Sequence, residues 1–598
     1  MNAITIVIGS MCILAITYRL YGTFMMVKVL KVTDDHPTPA HTLEDGKDYV
    51  PTNKWVTFGH HFAAIAAAGP LVGPILAAQF GYLPGLLWLL IGAVIGGAVH
   101  DLVVLFASMR KKGTSLSEVA KEELGPVAGF CTGLAMLFII TITMAGLSMV
   151  VLHALERNPW GTFAVGITIP IAMGVGLYYK KTGNLKLATS AGFILLMIGV
   201  FLGPNIQETV LGDFLTLDTK TLALALPIYA FFATALPIWL LLAPRDYLSS
   251  FMKIGVFIAL IVGVFVVNPS IQFPAFTEFV SGGGPVLAGP VWPFISITIA
   301  CGAISGFHAF VGSGTTPKML DRWSDMKPVA FGAMLVECLV GIMALIAATA
   351  LHPGDYFAIN STPEIFRTLG MSVENLPQLS KEIGLDLEGR TGGAVTLAVG
   401  MAYIFTGIPF FSHLASYFFQ FVIMFEAVFI LTAIDAGTRV ARYLIQDFFG
   451  EAYKPLKRND WLPGSVFASA LACFMWGYLL YSGDIGSIWA LFGVSNQLMA
   501  TVGLIIGATV VLKIADKRRY VLTCFIPLAY LYVTVNYAGY WMVANVYLNP
   551  DASGYSVLNA VLSMVMLILG FVILVFAIKK WVEIWRDPAL RMETPISG

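Results

Sequence analysis

Residues 59–74 read GHHFAAIAAAGPLVGP, a stretch that places two glycine–proline pairs within an apolar segment. Phe58 before it and residues 75–78 after it are apolar as well. A segment this hydrophobic is expected to form a buried helix, yet proline lacks the backbone N–H that a helix interior needs. Gly69-Pro70 and Gly73-Pro74 therefore mark a place where the helix is expected to break.

The composition indicates a membrane protein with many spans. Of the 598 residues, 58% are apolar and 12% are charged, and the mean hydropathy is +0.81. Soluble domains carry about 25% charged residues. Basic and acidic residues number 35 each, so nothing argues for a nucleic-acid partner. The six cysteines lie in apolar runs without C-x-x-C spacing, which favours small core residues over a disulfide or metal framework.

About 20 mostly apolar residues are needed to cross a bilayer. The first span is interpreted as a retained helix within residues 1–30, because the N-terminus has neither a basic start nor a signal-peptide cleavage site. Fifteen spans are predicted in all, near 3–27, 57–80, 85–108, 127–152, 162–179, 188–203, 222–243, 254–268, 290–312, 329–351, 413–436, 465–482, 486–512, 520–543 and 556–578.

The basic residues predict the orientation of these spans. With the N-terminus outside and the C-terminus in the cytoplasm, 29 of the 35 lysines and arginines fall in internal loops, Arg245 among them. Five fall in external loops and Arg19 lies within the first span. This asymmetry is typical of the positive-inside rule.

One further hydrophobic segment, 394–412, is long enough to span but is left out of the count. Including it would move five basic residues between 439 and 458 to the outside. It is interpreted as a re-entrant or surface helix that closes an external segment, 352–412.

The doubled breakers predict a transport site. Pro70 and Pro74 free the carbonyls of Ala66 and Pro70, which can accept from a cation or a proton donor. The N-terminus of the resumed helix favours an anion, and glycine permits close backbone approach. Helices broken in this way at membrane depth line transport sites in secondary transporters. The alternative is an ordinary proline kink.

Two further spans show interruptions. Residues 222–243, five spans later, contain Pro227 and Pro237 and are expected to match the first broken helix in an inverted repeat. Residues 297–317, the eighth span of the core, are rich in glycine, serine and threonine and are expected to lie beside the first. Ser305 and Ser313 offer hydroxyls to a ligand, whereas close helix packing alone would also explain the composition.

Ionisable residues within spans are costly and mark functional sites by default. His61, His100, Asp101 and His308 are predicted to carry the coupling proton, with Glu337 and Glu426 as further candidates. Each could instead be a satisfied buried polar group. A metal site is not predicted, because adjacent His-His and His-Asp pairs lack the i,i+4 spacing of a zinc helix. No cofactor is predicted. Substrate binding is assigned to His61, Gly69, Pro70, Gly73, Ser305, His308 and Ser313.

Two polar motifs occur in later spans. Asp435 and Arg439 are i,i+4 neighbours on a helix and are expected to pair. The run Ser495-Asn496-Gln497 is expected to bond helices together or to touch substrate.

The stretches 45–79, 97–105, 305–318, 426–442 and 489–500 together resemble the carbon starvation protein A family. The resemblance implies a bacterial inner-membrane transporter of the amino acid–polyamine–organocation type, all-α, with a five-plus-five inverted-repeat core and discontinuous helices. It brings no catalytic residues. Family members are associated with uptake of peptides and of pyruvate, the latter together with protons.

On this fold the first repeat is expected at 57–203 and the second at 222–446, with one extra N-terminal helix and about four C-terminal helices in 464–580. The expected function is proton-coupled import of a small carboxylate such as pyruvate, and the alternative is uptake of short peptides or amino acids. The sequence lacks a Walker A motif, so ATP-driven transport is not expected, and an enzyme is not expected either. Substrate, protons and the lipid bilayer are the expected partners.

Overall fold

The computed structural model is all-α. It describes residues 2–591 except 47, 67–68, 237–239, 412, 451–452, 458–460, 484 and 550–553. The helices of the first half are α1 Ala3–Phe24, α2 Pro39–Thr42, α3 Lys54–Ile65, α4 Gly69–Ala77, α5 Tyr82–Ile91, α6 Ala98–Arg110, α7 Leu116–Leu124, α8 Pro126–Leu155, α9 Pro159–Gly166, α10 Thr168–Thr182, α11 Leu185–Gln207, α12 Val210–Leu215, α13 Thr219–Ala235 and α14 Leu242–Val267. Those of the second half are α15 Val291–Thr298, α16 His308–Gly314, α17 Ala333–Thr349, α18 Pro353–Asn360, α19 Pro363–Thr368, α20 Leu376–Ile383, α21 Ala394–Thr406, α22 Ala415–Gly450, α23 Leu462–Ser482, α24 Ile485–Ile514, α25 Leu522–Met542 and α26 Gly554–Arg586.

The prediction of an all-α protein with many membrane spans is confirmed. Eleven helices or joined helices among the described residues are long and apolar enough to cross a membrane, and the bent pair α3–α4 makes a twelfth. Three of the fifteen predicted spans are not among these twelve, because α13 and the apolar part of α14, Met252–Val267, are shorter and the pair α15–α16 is interrupted.

The first broken span is the pair α3–α4, whose two halves make an angle of 46°. Ala66 ends α3 with a ψ of 51°, and Pro70 occupies the second position of α4, where a missing N–H costs nothing. α3 therefore ends before Ala66 and α4 begins at Gly69, so residues 69–74, which the two glycine–proline pairs suggest to be non-helical, are helical. Pro74 is accommodated within α4.

The second broken span is the pair α15–α16, separated by residues 299–307. The sequence predicts six spans between it and α3–α4, an even number, which predicts that the two run in opposite directions. The two breaks are in contact, since a Cβ added to Gly73 would lie 2.5 Å from the carbonyl oxygen of Thr298 and one on Gly69 would lie 2.4 Å from Sγ of Cys301. The prediction that 297–317 lies beside the first span is confirmed.

The predicted break in 222–243 is wrong in its first part. α13 runs without interruption through Pro227 and ends at Ala235, while Pro237 lies outside the described residues. α13 packs mainly against α8, α22 and α23, and no comparable packing on α3 or α4 is found in the described part of the chain. The broken partner of α3–α4 is therefore α15–α16.

The internal loop predicted between 243 and 254 is also wrong, because α14 already begins at Leu242. Arg245 and Lys253 are consequently helical and buried rather than exposed in a loop. Both cations find partners inside the protein, which removes the need for water.

The segment 394–412 contains α21, thirteen residues that span about 20 Å, well short of a 30 Å hydrocarbon core. Most of its side chains are buried against α4, α17 and α22. This placement contradicts a surface helix and favours the re-entrant alternative.

Both broken spans are followed by a long helix that contains a wide π turn. The turn lies at Gly92–Gly97 before α6 and at Lys327–Gly332 before α17. The repeat boundaries at 57–203 and 222–446 stay a prediction, as do the N-terminal and C-terminal extensions.

Replacing Gly73 by alanine is expected to lower the thermal stability of the purified protein, because the new methyl group would overlap the backbone of Thr298 and overpacking costs about 1–3 kcal/mol. Gly59→Ala in the same span is the matched control, since nothing lies within 4 Å of a Cβ there. Equal unfolding temperatures of the two variants in a detergent-based thermal shift assay would contradict this packing.

Candidate functional site

The end of α3 at the first break is held by a backbone contact and a side-chain contact. Backbone bonding in α3 ends with the N–H of Ala66 donating to the carbonyl of Phe62 at 2.9 Å. The carbonyl of Ala63, in the last turn, accepts a hydrogen bond of 2.8 Å from Nζ of Lys253 on α14. A cation at a helix C-terminus is stabilising, and the N-terminus of α4 across the break favours an anion.

The histidines of α3 face the end of the second broken span. Nδ1 of His61 lies 2.8 Å from Oγ1 of Thr316, and Nε2 of His60 lies 3.3 Å from Oγ1 of Thr315. His61 is fully buried, and its Nε2 has no hydrogen-bond partner among the described residues.

The unwound segment 299–307 is stabilised by α24. Oδ1 of Asn496 accepts from the backbone N–H of Phe307 at 2.8 Å and from the hydroxyl of Ser305 at 3.3 Å. Nε2 of Gln497 donates to the carbonyl of Ser296 at 2.7 Å. The indole of Trp88 on α5 donates to the carbonyl of Ile299 at 3.1 Å. Of the two roles open to Asn496 and Gln497, the helix-bonding one is confirmed.

A buried charge network lies next to this segment, centred on Asp101 of α6. Its Oδ1 lies 2.8 Å from Nδ1 of His100, and its Oδ2 lies 2.8 Å from Nδ1 of His308 on α16. None of the three side chains is more than 2% exposed. His100 has room because it faces Gly503 of α24, where a Cβ would lie 2.4 Å from Nε2.

Glu337 of α17 extends the network. Its Oε2 lies 3.1 Å from Nε2 of His308, an ion-pair distance without the alignment of a hydrogen bond. Its Oε1 accepts from the backbone N–H of Gly302 at 3.1 Å, inside the unwound segment. One imidazole thus lies between two carboxylates on different helices, an arrangement that can pass a proton from one to the other.

The structure brings most of the predicted site residues together. His100, Asp101 and His308 form one network. His61 lies on the first broken span and contacts Thr316 at the end of the second, and Ser305 lies in the unwound segment. Gly69, Pro70 and Gly73 lie on α4, with both glycines packed against the second broken span. The hydroxyl of Ser313 donates to the carbonyl of Ala309 in its own helix at 2.6 Å. The binding roles given to these residues stay predictions.

A second buried charge pair contradicts the expected pairing of Asp435 with Arg439. Oδ2 of Asp435 lies 3.2 Å from Nη1 of Arg245 on α14 and accepts from the hydroxyl of Tyr229 at 2.8 Å. Arg439 instead donates to the carbonyls of Ala233 and Leu236, at the end of α13. These carbonyls lack partners within α13, so they compete well for the guanidinium.

Sequence reasoning missed Lys253 and Arg245, which it placed in a loop. The sequence contains a signal that Lys253 belongs to a helix, since the apolar run Ile254 to Val267 follows it directly. Glu426, named from the sequence, is fully buried in α22, and neither carboxyl oxygen has a hydrogen-bond partner among the described residues.

Two broken spans that contact each other at their breaks, with a buried network of histidines and carboxylates beside them, are typical of a polytopic membrane transporter. The chain belongs to the carbon starvation protein family described as Carbon starvation protein CstA, whose profile matches residues 2–538. The prediction of a transporter is thereby confirmed.

Two relatives illustrate the range of this family. A protein of Bacillus subtilis (strain 168) named peptide transporter CstA is 88% identical over 598 residues, covering all of both chains. A protein of Escherichia coli (strain K12) named pyruvate/proton symporter BtsT is 38% identical, covering 99% of this chain and 93% of that one. Among solved structures, a manganese transporter of Eremococcus coleocola covers 90% of this chain and 99% of its own, at 11% identity and a TM-score of 0.49. That last likeness carries no weight for function.

Asn496→Ala is expected to lower the thermal stability of the purified protein by about 1–3 kcal/mol, because it leaves the N–H of Phe307 and the hydroxyl of Ser305 without their acceptor. Asn545→Ala serves as control, since that amide is exposed and bonds only within its own helix. An Asn496→Ala variant as stable as Asn545→Ala would show that Asn496 of α24 does not stabilise the unwound segment 299–307.

Proposed function

We propose that the chain is a proton-coupled secondary transporter that imports a small carboxylate such as pyruvate across the bacterial inner membrane. The observation that carries this proposal is the position of His308, between Asp101 and Glu337 and beside the broken spans. Charged groups buried at membrane depth are costly and are kept where they move ions or protons. The name of the Escherichia coli relative supports the same reading.

Protonation of the network changes how the unwound segment is held. While Glu337 is ionised, it attracts His308 and accepts from the N–H of Gly302. A proton taken up by Glu337 weakens both contacts, since hydrogen bonds to charged groups are stronger than those to neutral ones. The segment 299–307 is then free to shift against α17, and with it the wall of the first break.

Substrate binding is placed at the first break. The N-terminus of α4 offers backbone N–H groups to a carboxylate, and His61, Gly69, Pro70, Gly73, Ser305, His308 and Ser313 are the residues proposed to surround it. The N-terminus is proposed to lie outside and the C-terminus in the cytoplasm, as the basic residues predict.

A short peptide is the second candidate substrate. Beyond Leu76 on α4 lies a partly polar cavity with about 400 Å³ open to the centres of water molecules, lined among others by His153, Lys220, Asn360 and Thr391. This space is large enough for a peptide on its way to the break. The Bacillus subtilis relative carries the name of a peptide transporter.

Asp101→Asn is expected to reduce pH-gradient-driven accumulation of pyruvate on the order of 100-fold, because the amide no longer exchanges protons with His308. Exchange of labelled for unlabelled pyruvate without a gradient should persist. Uptake into proteoliposomes with and without an inward proton gradient measures both rates, and the exposed Asp213→Asn is the control. Accumulation by Asp101→Asn at the wild-type level would move proton coupling to other residues.

Competition binding distinguishes the two substrates. Labelled pyruvate should be displaced by unlabelled pyruvate at far lower concentrations than by its uncharged amide, because the site recognises the carboxylate. A peptide with a free C-terminus should compete better than its C-terminally amidated form if both substrates share one site. Equal competition by charged and uncharged forms would argue against an anion site at α4.

A further inference from the structure

A small, partly open cavity lies next to the break in the first span and is lined by residues of α3, α4, α14, α17, α21 and α22. About 40 Å³ of it is open to the centres of water molecules. A single water needs about 10–15 Å³ by that measure, so the cavity has room for about three waters, or roughly 90 Å³ of liquid. Its walls are mainly apolar and include Phe62, Leu71, Phe257, Met401 and Phe425.

Lys253 is the one charged side chain among the described residues that line this cavity. It projects from α14 and is 9% exposed. Nζ donates to the carbonyl of Ala63 at 2.8 Å and lies 3.3 Å from the ring centroid of Phe429. These contacts fix the ammonium at the end of α3, beside a cavity that Leu71 of α4 also lines.

We propose that Lys253 is the residue that selects substrate by charge, pairing with the carboxylate of a three-carbon acid in this cavity. The inference rests on the proposed function and adds to it the counter-charge and the cavity, which is lined by Phe62 and Leu71, the chain neighbours of His61 and Pro70, rather than by the residues assigned from the sequence. The carboxylate would lie between the ammonium and the N-terminus of α4, two positive ends that converge on the same break. The apolar walls accommodate the rest of the molecule.

The volume favours a small acid over a peptide at this position. About 90 Å³ fits a molecule of six heavy atoms, whereas a dipeptide needs substantially more space. A peptide could place only its C-terminal end here, with the rest of its chain outside the cavity.

The cavity also lies close to the charge network. Val340 lines it from α17 and is three residues, about one turn, from Glu337. Substrate and proton therefore act on neighbouring parts of one helix, as coupled transport requires.

The test compares binding of labelled pyruvate and pyruvamide, its uncharged amide, to the purified full chain. Lys253→Met should weaken pyruvate binding on the order of 100-fold, since removing one partner of a buried charge pair has effects of this size. It should leave binding of the amide unchanged, and Lys253→Arg should restore the preference for the anion. Lys186→Met, at an exposed position, is the control.

Thermal unfolding of each variant separates charge selection from loss of the Ala63 contact. If Lys253→Met does not fold, Leu260→Phe, which places a larger side chain at the cavity wall, should reduce pyruvate affinity while the protein stays folded. An unchanged preference for pyruvate over its amide in Lys253→Met would overturn the inference, and so would normal binding with lost transport. Failure of the wild type to bind pyruvate would instead refute the proposed function.

Discussion

A peptide group cannot be left without a hydrogen-bond partner at membrane depth, and the core of this protein is arranged around two places where helices nevertheless break. Each break exposes backbone groups that cost several kcal/mol in lipid if unpaired. Side chains from other spans provide partners: Lys253 for α3, and Asn496 and Trp88 for the segment 299–307. The long helices around the breaks thus serve first to satisfy the backbone there, and the chemistry of the site follows from the groups that do so.

The two buried charge centres differ in their surroundings. Asp101, His308 and Glu337 join three helices at the unwound segment, where a change of charge alters backbone contacts. Arg245 and Asp435 join α14 to α22 with Tyr229 as a third member. Breaking a buried pair of that kind by removing one partner is strongly destabilising, so it is well suited to fix the position of α14 and with it that of Lys253.

Local sequence signals predicted the features that depend on local chemistry. Gly69-Pro70 located the first break to within a few residues, because proline acts on its own helix. His100, Asp101 and His308 were recognisable as candidate functional residues because ionisable residues are rare in apolar spans. The partner of Asp435 was not recognisable, since it is set by a contact between helices far apart in the chain. The place of 297–317 beside the first span was predicted, whereas the break expected at Pro227 was wrong, because α13 accommodates that proline. An i,i+4 rule describes neighbours on one helix and says nothing of a stronger partner elsewhere.

The contact between the two breaks has a consequence for biosynthesis. Gly73 is made about 220 residues before Thr298, the backbone that it will meet, and Ala63 is made 190 residues before Lys253, which donates to its carbonyl. At 5–20 residues per second, the first broken span waits roughly 10 to 45 s for these partners. During that time its freed carbonyls need other hydrogen-bond donors, such as water at the insertion machinery or a chaperone. Slower ribosomes lengthen this exposed interval, so the yield of folded protein depends on the speed of translation as well as on the final contacts.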